Sequence, residues 1–165
     1  MIDGIELCQG CGIVLPHDQG FKHPYMTGSA SCWKGFGLLL EAQYSNPERM
    51  RFHQLVVDSY AVQHPGSTMN QQIQSVGIHL MTLALFIEDG VDPSLGTRIH
   101  QKMVERPVFS YLPRPSDVGK VKFDHIPLLG VPRDEVYEWA TSSWNAWSDH
   151  HSRVDAWLKQ SGLRN

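Results

Sequence analysis

The segment TMNQQIQSVGIHLMTLALFIEDG, residues 68–90, predicts the central helix of this fold. Thr68 and Gln71 form a capping-box pattern at its start, and Gly90 stands where a helix would end. Between these signals, apolar residues recur in steps of three and four and so share one helical face: Ile73, Val76, Leu80, Leu83 and Ile87. A helix with such a face buries it, so we expect this helix to form the core with other helices.

A first helix is predicted upstream of this segment. Ser29 or Ser31 can cap its N-terminus, because a serine hydroxyl accepts a hydrogen bond from a free backbone N–H. The apolar residues Trp33, Phe36 and Leu40 then fall on one face. We therefore expect this helix to pack against the central one.

Two further helices flank the central segment. The pair Asn46–Pro47 is typical of a helix start, and the helix that it opens should run to about His64, where Pro65 stops it. The pair Asp92–Pro93 predicts a shorter helix that ends before Pro107. Short connections between these helices favour a bundle.

The C-terminal third combines a long loop with a last helix. Prolines are frequent between Pro107 and Pro132, where we expect an irregular cover with one β-like run at 120–126. An apolar stripe then predicts one helix from about Arg133 to Ser161. The predicted fold is mainly α, a four- to five-helix bundle with an N-terminal loop-rich zinc-knuckle lobe and a long Pro-rich loop before the last helix.

Length and composition favour one globular domain. The chain of 165 residues is predicted to form a single domain, 1–165, with a metal-binding lobe at 1–31 and a helical bundle at 32–165. Its net charge of −3 without a basic block argues against nucleic acid or an anionic membrane as a partner. The partner that we expect is an unknown small molecule. The N-terminus has no export signal, so we expect a cytoplasmic protein. The oligomeric state cannot be predicted.

The stretch CQGCG at residues 8–12 indicates a zinc site. Cys8 and Cys11, three apart in a tight turn, can direct both sulfur atoms at one ion. Cys32 and His23 would complete a tetrahedral set, and a helical histidine such as His53 could replace His23. The alternatives are ordinary reduced thiols, redox exchange, or a Cys32 that only fills space in the core.

Histidines and one carboxylate suggest a second, catalytic site between helices. Across a bundle, His53, His79 and His151 with Asp58 are the kind of set that binds a divalent metal or moves protons. The alternative is that each histidine is a core residue paired with a backbone carbonyl or hydroxyl, and that Asp58 is solvated or ion-paired. The remaining histidines considered, His17, His100 and His125, are interpreted as surface or loop residues.

Six motifs together resemble a bacterial family known only as a domain of unknown function. They are CQGCG, HPYM at 23–26, SCW at 31–33, HQLVVDSYAVQHPG at 53–66, QSVGIHL at 74–80 and WNAWSDHH at 144–151. The resemblance spans nearly the whole chain and brings no established activity. It carries the following motif residues over to this chain: Cys8, Cys11, His23, Cys32, His53, Asp58, Gln63, His64, His79, His150 and His151.

The size and helix count are also similar to those of DinB-like metal-binding four-helix bundles, which hold an ion through three histidines. Those bundles carry two histidines four apart on the last helix, whereas here the residue four before His151 is Trp147.

The sequence leads to three functional hypotheses. The first is a zinc-binding, metal-dependent hydrolase or transferase, the second a non-catalytic zinc-stabilised binding or regulatory module, and the third a thiol-reactive or redox-sensing protein.

Overall fold

A computed structural model describes residues 4–105 and 109–165, and it is mainly helical. A small antiparallel hairpin precedes the helices, with strands β1 (Ile5–Leu7) and β2 (Val14–Pro16). The described residues form seven α-helices: α1 (Ala30–Tyr44), α2 (Pro47–Met50), α3 (His53–Gln63), α4 (Asn70–Ile87), α5 (Gly96–Glu105), α6 (Arg133–Ala146) and α7 (His151–Gln160). The predicted fold class, a helical bundle with an N-terminal lobe, is confirmed.

The centre of the bundle is α3, which packs against α4 and α6, and α4 also contacts α5 and α7. Apolar side chains from these helices fill the interior at zero or near-zero exposure, among them Leu55, Leu80, Leu83, Trp139 and Leu158. Burial of this apolar surface is the main stabilising contribution to the fold. None of the helices in the described ranges is both long and apolar enough to cross a bilayer.

Most helix boundaries follow the local signals. The Ser29 hydroxyl accepts from the backbone N–H of Cys32 at 3.1 Å, so Ser29 is the cap of α1. Asn46 caps α2 and Asp92 caps the 3-10 turn before α5, through bonds of 3.0 and 2.9 Å. The predicted box at Thr68 is displaced by one residue, because Gln72 instead accepts from the N–H of Met69 at 3.3 Å.

The predicted second helix is broken into α2 and α3. Phe52 bonds back to the carbonyl of Arg49, three residues earlier, at 3.0 Å and leaves the α-helical path. Arg49 is only 3% exposed, and its guanidinium donates to the carbonyl oxygens of Pro127 and Gly130. These bonds fix α2 against the Pro-rich segment, a tertiary contact that no local pattern reveals.

The predicted single last helix, from Arg133 to Ser161, is also wrong. It divides into α6 and α7, and a 3-10 turn at Ser148–His150 joins them. At the break, Trp147 is fully buried and its indole N–H donates to the carbonyl of Val62 at 3.0 Å. This anchor to α3 stabilises the break, and His151 therefore begins α7 instead of lying within a continuous apolar stripe.

The Pro-rich segment is irregular over residues 109–132, as predicted, except that the β-like run at 120–126 forms no strand. Its Phe123–His125 part is a 3-10 turn. Gln63 at the end of α3 donates to the carbonyl oxygens of Val118 and Val121, at 3.1 and 2.8 Å. Gln63 also accepts from the indole of Trp139 at 3.0 Å, so one buried amide joins the segment to α3 and α6.

Candidate metal centre

The cysteine turn at residues 8–12 is preformed by its own backbone. The N–H of Gly12 donates to the carbonyl oxygen of Cys8 at 2.9 Å, and the N–H of Cys8 donates to the carbonyl oxygen of Ile13 at 2.8 Å. Gly12 has a φ of +76°, a conformation that glycine adopts without steric cost. The hairpin strands continue from both ends of this turn, which holds Cys8 and Cys11 close together.

The third sulfur comes from α1. Cys32 lies in the first turn of this helix and is fully buried. Its Sγ atom lies 3.8 Å from Sγ of Cys11, and the Tyr60 hydroxyl donates to it at 3.4 Å. The Glu6 carboxylate accepts from the hydroxyl of Ser31, the neighbour of Cys32, at 2.6 Å and so ties β1 to the start of α1.

The fourth member is His64, the residue that ends α3. Its Nδ1 lies 2.6 Å from the carbonyl oxygen of Tyr60, so this nitrogen carries the proton and donates it. The other ring nitrogen, Nε2, lies 3.3 Å from Sγ of Cys32 and is the nitrogen that can bind an ion once it gives up its proton. A backbone carbonyl that fixes the tautomer in this way is the usual outer partner of a metal-binding histidine.

The four side chains have the dimensions of a metal site. The three sulfur atoms and a ring nitrogen of His64 all lie within 4.8 Å of one another. Zinc–sulfur bonds of about 2.3 Å in a tetrahedron place two sulfur atoms about 3.8 Å apart. The observed separation between Cys11 and Cys32 equals this value, so these two sulfur atoms are spaced like ligands of one tetrahedral ion.

The electrostatics of the group favour a thiolate at Cys8, with His64 as its positive partner. Contacts with Cys11 and Cys32 lower the pKa of Cys8, whereas the neighbouring Cys11 and Cys8 raise the pKa of Cys32. Burial would lower the pKa of His64, but Cys11 and Cys8 raise it to about 9. Negative charge therefore concentrates on one side of a buried group, where a divalent cation would compensate it.

Aromatic rings and glycines enclose the group. The Tyr60 ring stacks between Phe36 and His64, with centroid distances of 3.8 and 3.9 Å. A Cβ atom on Gly10 would overlap the carbonyl oxygen of Thr27 and the His64 ring, so only glycine fits there. This packing leaves little freedom for the His64 imidazole to turn away from the sulfur atoms.

The structure brings Cys8, Cys11 and Cys32 together as predicted, but His23 is not part of the group. The Nδ1 atom of His23 accepts from the backbone N–H of Tyr25 at 3.1 Å, and its ring packs on Trp33 at 4.9 Å. Sequence reasoning named His53 as the helical histidine that could replace His23. His53 and His64 lie about 16 Å apart along one helix and cannot share an ion, so the choice of His53 left His64 out. The sequence did contain one signal for His64: Pro65–Gly66 stops the helix beside it, and a residue at a helix end can face a separate lobe.

A second group contains Asp58 of α3 and His79 of α4, both predicted from sequence, and His100 of α5, which was not. The Oδ1 atom of Asp58 lies 2.6 Å from Nδ1 of His79 and 3.5 Å from Nε2 of His100. Burial alone would raise the pKa of Asp58, but contacts with His100 and His79 lower it below its usual value. His100 is therefore not a free surface residue, and Asp58 is buried instead of solvated.

His53 and His151 do not converge on this group. The Nδ1 atom of His53 lies 2.9 Å from Oε1 of Gln43, and burial lowers the pKa of His53. The His151 ring stacks on Trp144 with a centroid distance of 3.7 Å, and its Nε2 donates to the Trp144 carbonyl at 2.9 Å. Both histidines are satisfied by local partners, which is the alternative interpretation that the sequence left open.

Fold and site together define a small helical protein with a buried Cys3His group spaced for a metal ion. The chain belongs to a family of unknown function, DUF5946, whose family model matches residues 6–148. The resemblance recognised in the sequence motifs is thereby confirmed. Comparison with curated proteins finds no match, and comparison with solved structures finds none either.

Proposed function

We propose that this protein is a zinc-binding protein and that its Cys3His centre is structural. The observation that carries the proposal is the closed set of four ligands, three sulfur atoms and one imidazole nitrogen, within 4.8 Å of one another. Structural zinc sites are four-coordinate with protein ligands only, whereas catalytic zinc keeps one position for water or substrate.

The choice of zinc follows from the chemistry of the donors. Thiolate ligands select soft or borderline ions, and a tetrahedral sulfur-rich set is typical of zinc or of iron–sulfur chemistry. Iron–sulfur clusters are held mostly by four cysteine thiolates, and this group contains three. Zinc with Cys3His ligation is therefore the best match.

Burial supports a structural role for this centre. Cys32 and His64 are 0% exposed, and Cys8 and Cys11 are 1% and 6% exposed. No substrate can approach an ion in such a position without opening of the core. A metal-dependent hydrolase or transferase reaction is therefore not proposed for the Cys3His centre.

The thiol-reactive alternative also has little support at this centre. A reactive cysteine needs an exposed sulfur and a lowered thiol pKa. Cys32 is buried, and its neighbours raise its pKa. The function that fits best is that of a zinc-stabilised helical module, in which the ion fixes the N-terminal lobe to α1 and α3.

Metal analysis of the purified protein tests this proposal. The chain is prepared without chelator and dialysed against a weak chelator, and its zinc content is measured by plasma mass spectrometry. We expect one retained zinc per chain in the wild type and in His23→Ala, but none in His64→Ala or Cys8→Ser. Retention of zinc by both of the last two variants, or its loss from His23→Ala, would contradict the proposal.

Cobalt substitution gives a readout that does not depend on how well a variant folds. A Co²⁺ ion at the proposed centre of the wild-type chain should show strong sulfur-to-cobalt charge-transfer absorption from three thiolates and the visible bands of tetrahedral coordination. Octahedral bands without charge transfer would overturn the proposal.

A further inference from the structure

We propose that Asp58, His79 and His100 form a second divalent-metal site, separate from the Cys3His centre and accessible from solvent. The three side chains offer one carboxylate oxygen and two imidazole nitrogens, all within 4.8 Å of one another. Each comes from a different helix, namely α3, α4 and α5. The inference does not depend on the Cys3His zinc, because the two groups share no residue.

An unpaired oxygen inside the protein points to a missing ligand. The Oδ2 atom of Asp58 is buried and has no hydrogen-bond partner among the described residues. Its other oxygen, Oδ1, accepts from Gln54 at 2.7 Å and contacts both histidines. A buried carboxylate oxygen without a partner is costly, so such atoms usually contact a bound ion or an ordered water.

The donor set determines which ions can bind. Two imidazoles with one carboxylate hold catalytic zinc and non-haem iron, and they leave further positions open for water or substrate. The absence of sulfur distinguishes this group from the Cys3His centre and suits first-row divalent ions such as Zn²⁺, Co²⁺ or Fe²⁺. Of the two groups found in the described residues, Asp58–His79–His100 can support Lewis-acid chemistry, whereas the closed Cys3His centre cannot.

Exposure also separates the two groups. The side chains of His79 and His100 are 13% and 21% exposed, whereas that of Asp58 is 0% exposed. An ion bound by the three side chains would thus lie between the core and solvent.

Metal binding would change the contacts within the group. Ligand atoms around a zinc ion with bonds of about 2.1 Å lie about 3.4 Å apart, so the 2.6 Å contact between Asp58 and His79 must lengthen on binding. The Nε2 atom of His100 lies 3.1 Å from the Thr82 hydroxyl, which itself donates to the carbonyl of Ile78. Metal binding would therefore replace these hydrogen bonds with bonds to the ion.

Cobalt titration of the full chain tests the site. Protein that holds zinc at its Cys3His centre is freed of weakly bound metal by dialysis and titrated with Co²⁺. We expect one additional Co²⁺ per chain, with visible d–d absorption and no new sulfur charge-transfer band. Asp58→Asn and His100→Gln should each weaken this binding about 100-fold or more, since even the loss of an outer partner costs 10–100-fold.

The exposed pair of His125 and Asp124, 3.3 Å apart, provides a matched control. His125→Gln removes a histidine beside a carboxylate in the same way and should leave cobalt binding unchanged. If Asp58→Asn does not fold, His100→Gln decides alone, because His100 is the most exposed member, and far-UV circular dichroism reports the fold of the variant independently of any metal. Absence of Co²⁺ uptake by the wild type, uptake that survives His100→Gln, or uptake that appears only as sulfur charge transfer would overturn the proposal.

Discussion

Arg114 donates from Nη1 to the carbonyl oxygen of Gln9 at 2.8 Å, across 105 positions of the chain. Its Nη2 atom donates to the carbonyl of Gly10. Both acceptors lie inside the cysteine turn, between Cys8 and Cys11. The Pro-rich segment before α6 therefore supports the backbone of the cysteine turn, and hydrogen bonds from a charged donor are the stronger kind.

Removal of this support should loosen the turn. Arg114→Ala is expected to accelerate zinc transfer to a colorimetric chelator several-fold, since the outer partners of metal ligands are worth 10–100-fold in affinity. Arg153→Ala, at an exposed position of α7, is the matched control and should not change the rate. Equal transfer rates in the two variants would show that the Arg114 bonds do not stabilise the centre.

Chelation of the ion should affect the lobe before the bundle. In residues 4–31 the regular structure of the lobe consists of a hairpin with two three-residue strands and the cysteine turn, so a bound ion would replace core contacts that the lobe lacks. We expect hydrogen exchange to accelerate over residues 4–28 on addition of a strong chelator, while α4 and α6 stay protected. Uniform loss of protection in all helices, or no change in the lobe, would contradict this expectation.

The space beside Gly10 predicts a large effect of one methyl group. Gly10→Ala places a Cβ against the carbonyl of Thr27 and the ring of His64, so it should destabilise the fold by about 1–3 kcal/mol and weaken zinc retention. Gly37→Ala is the matched control, because Gly37 lies exposed within α1 with no neighbour near its Cβ position. That change should stabilise the protein by about 0.5–1 kcal/mol. Urea denaturation measures the free energy of unfolding of both variants. Equal changes in Gly10→Ala and Gly37→Ala would contradict the prediction.

The buried amide of Gln63 predicts a stability defect without loss of metal. In Gln63→Leu, the carbonyl oxygens of Val118 and Val121 and the indole N–H of Trp139 lose their partner. Each unpaired buried group costs about 1–3 kcal/mol, so we expect a loss of about 2 kcal/mol or more in urea denaturation with zinc content unchanged. Gln160→Leu, at an exposed position, should have little effect. A Gln63→Leu variant as stable as the wild type would exclude this role.

The local part of the fold was predictable from the sequence, and the tertiary part was not. Ser29, Asn46 and Asp92 act as caps because a cap depends only on residues within one turn. The breaks at Phe52 and Trp147 depend on bonds to segments far along the chain, which periodicity does not report.

The same division holds for the site. Cys8 and Cys11 are three residues apart in the sequence, and their shared direction follows from one turn. His64 joins them only because α3 ends against the lobe, and His100 meets Asp58 only because α5 folds back onto α3 and α4. A set of ligands spread over three helices cannot be chosen from spacing alone when nine histidines are available.

The order of the four ligands along the chain has a consequence for biosynthesis. Cys8, Cys11 and Cys32 leave the ribosome first, and His64 follows 32 residues later, which at 5–20 residues per second takes about 2 to 6 s. An ion captured by the nascent thiolates therefore keeps one exchangeable position during this interval. In the proposed zinc centre, completion of α3 would supply the fourth ligand, so a newly made chain would pass through a short period in which a wrong ion can still be exchanged.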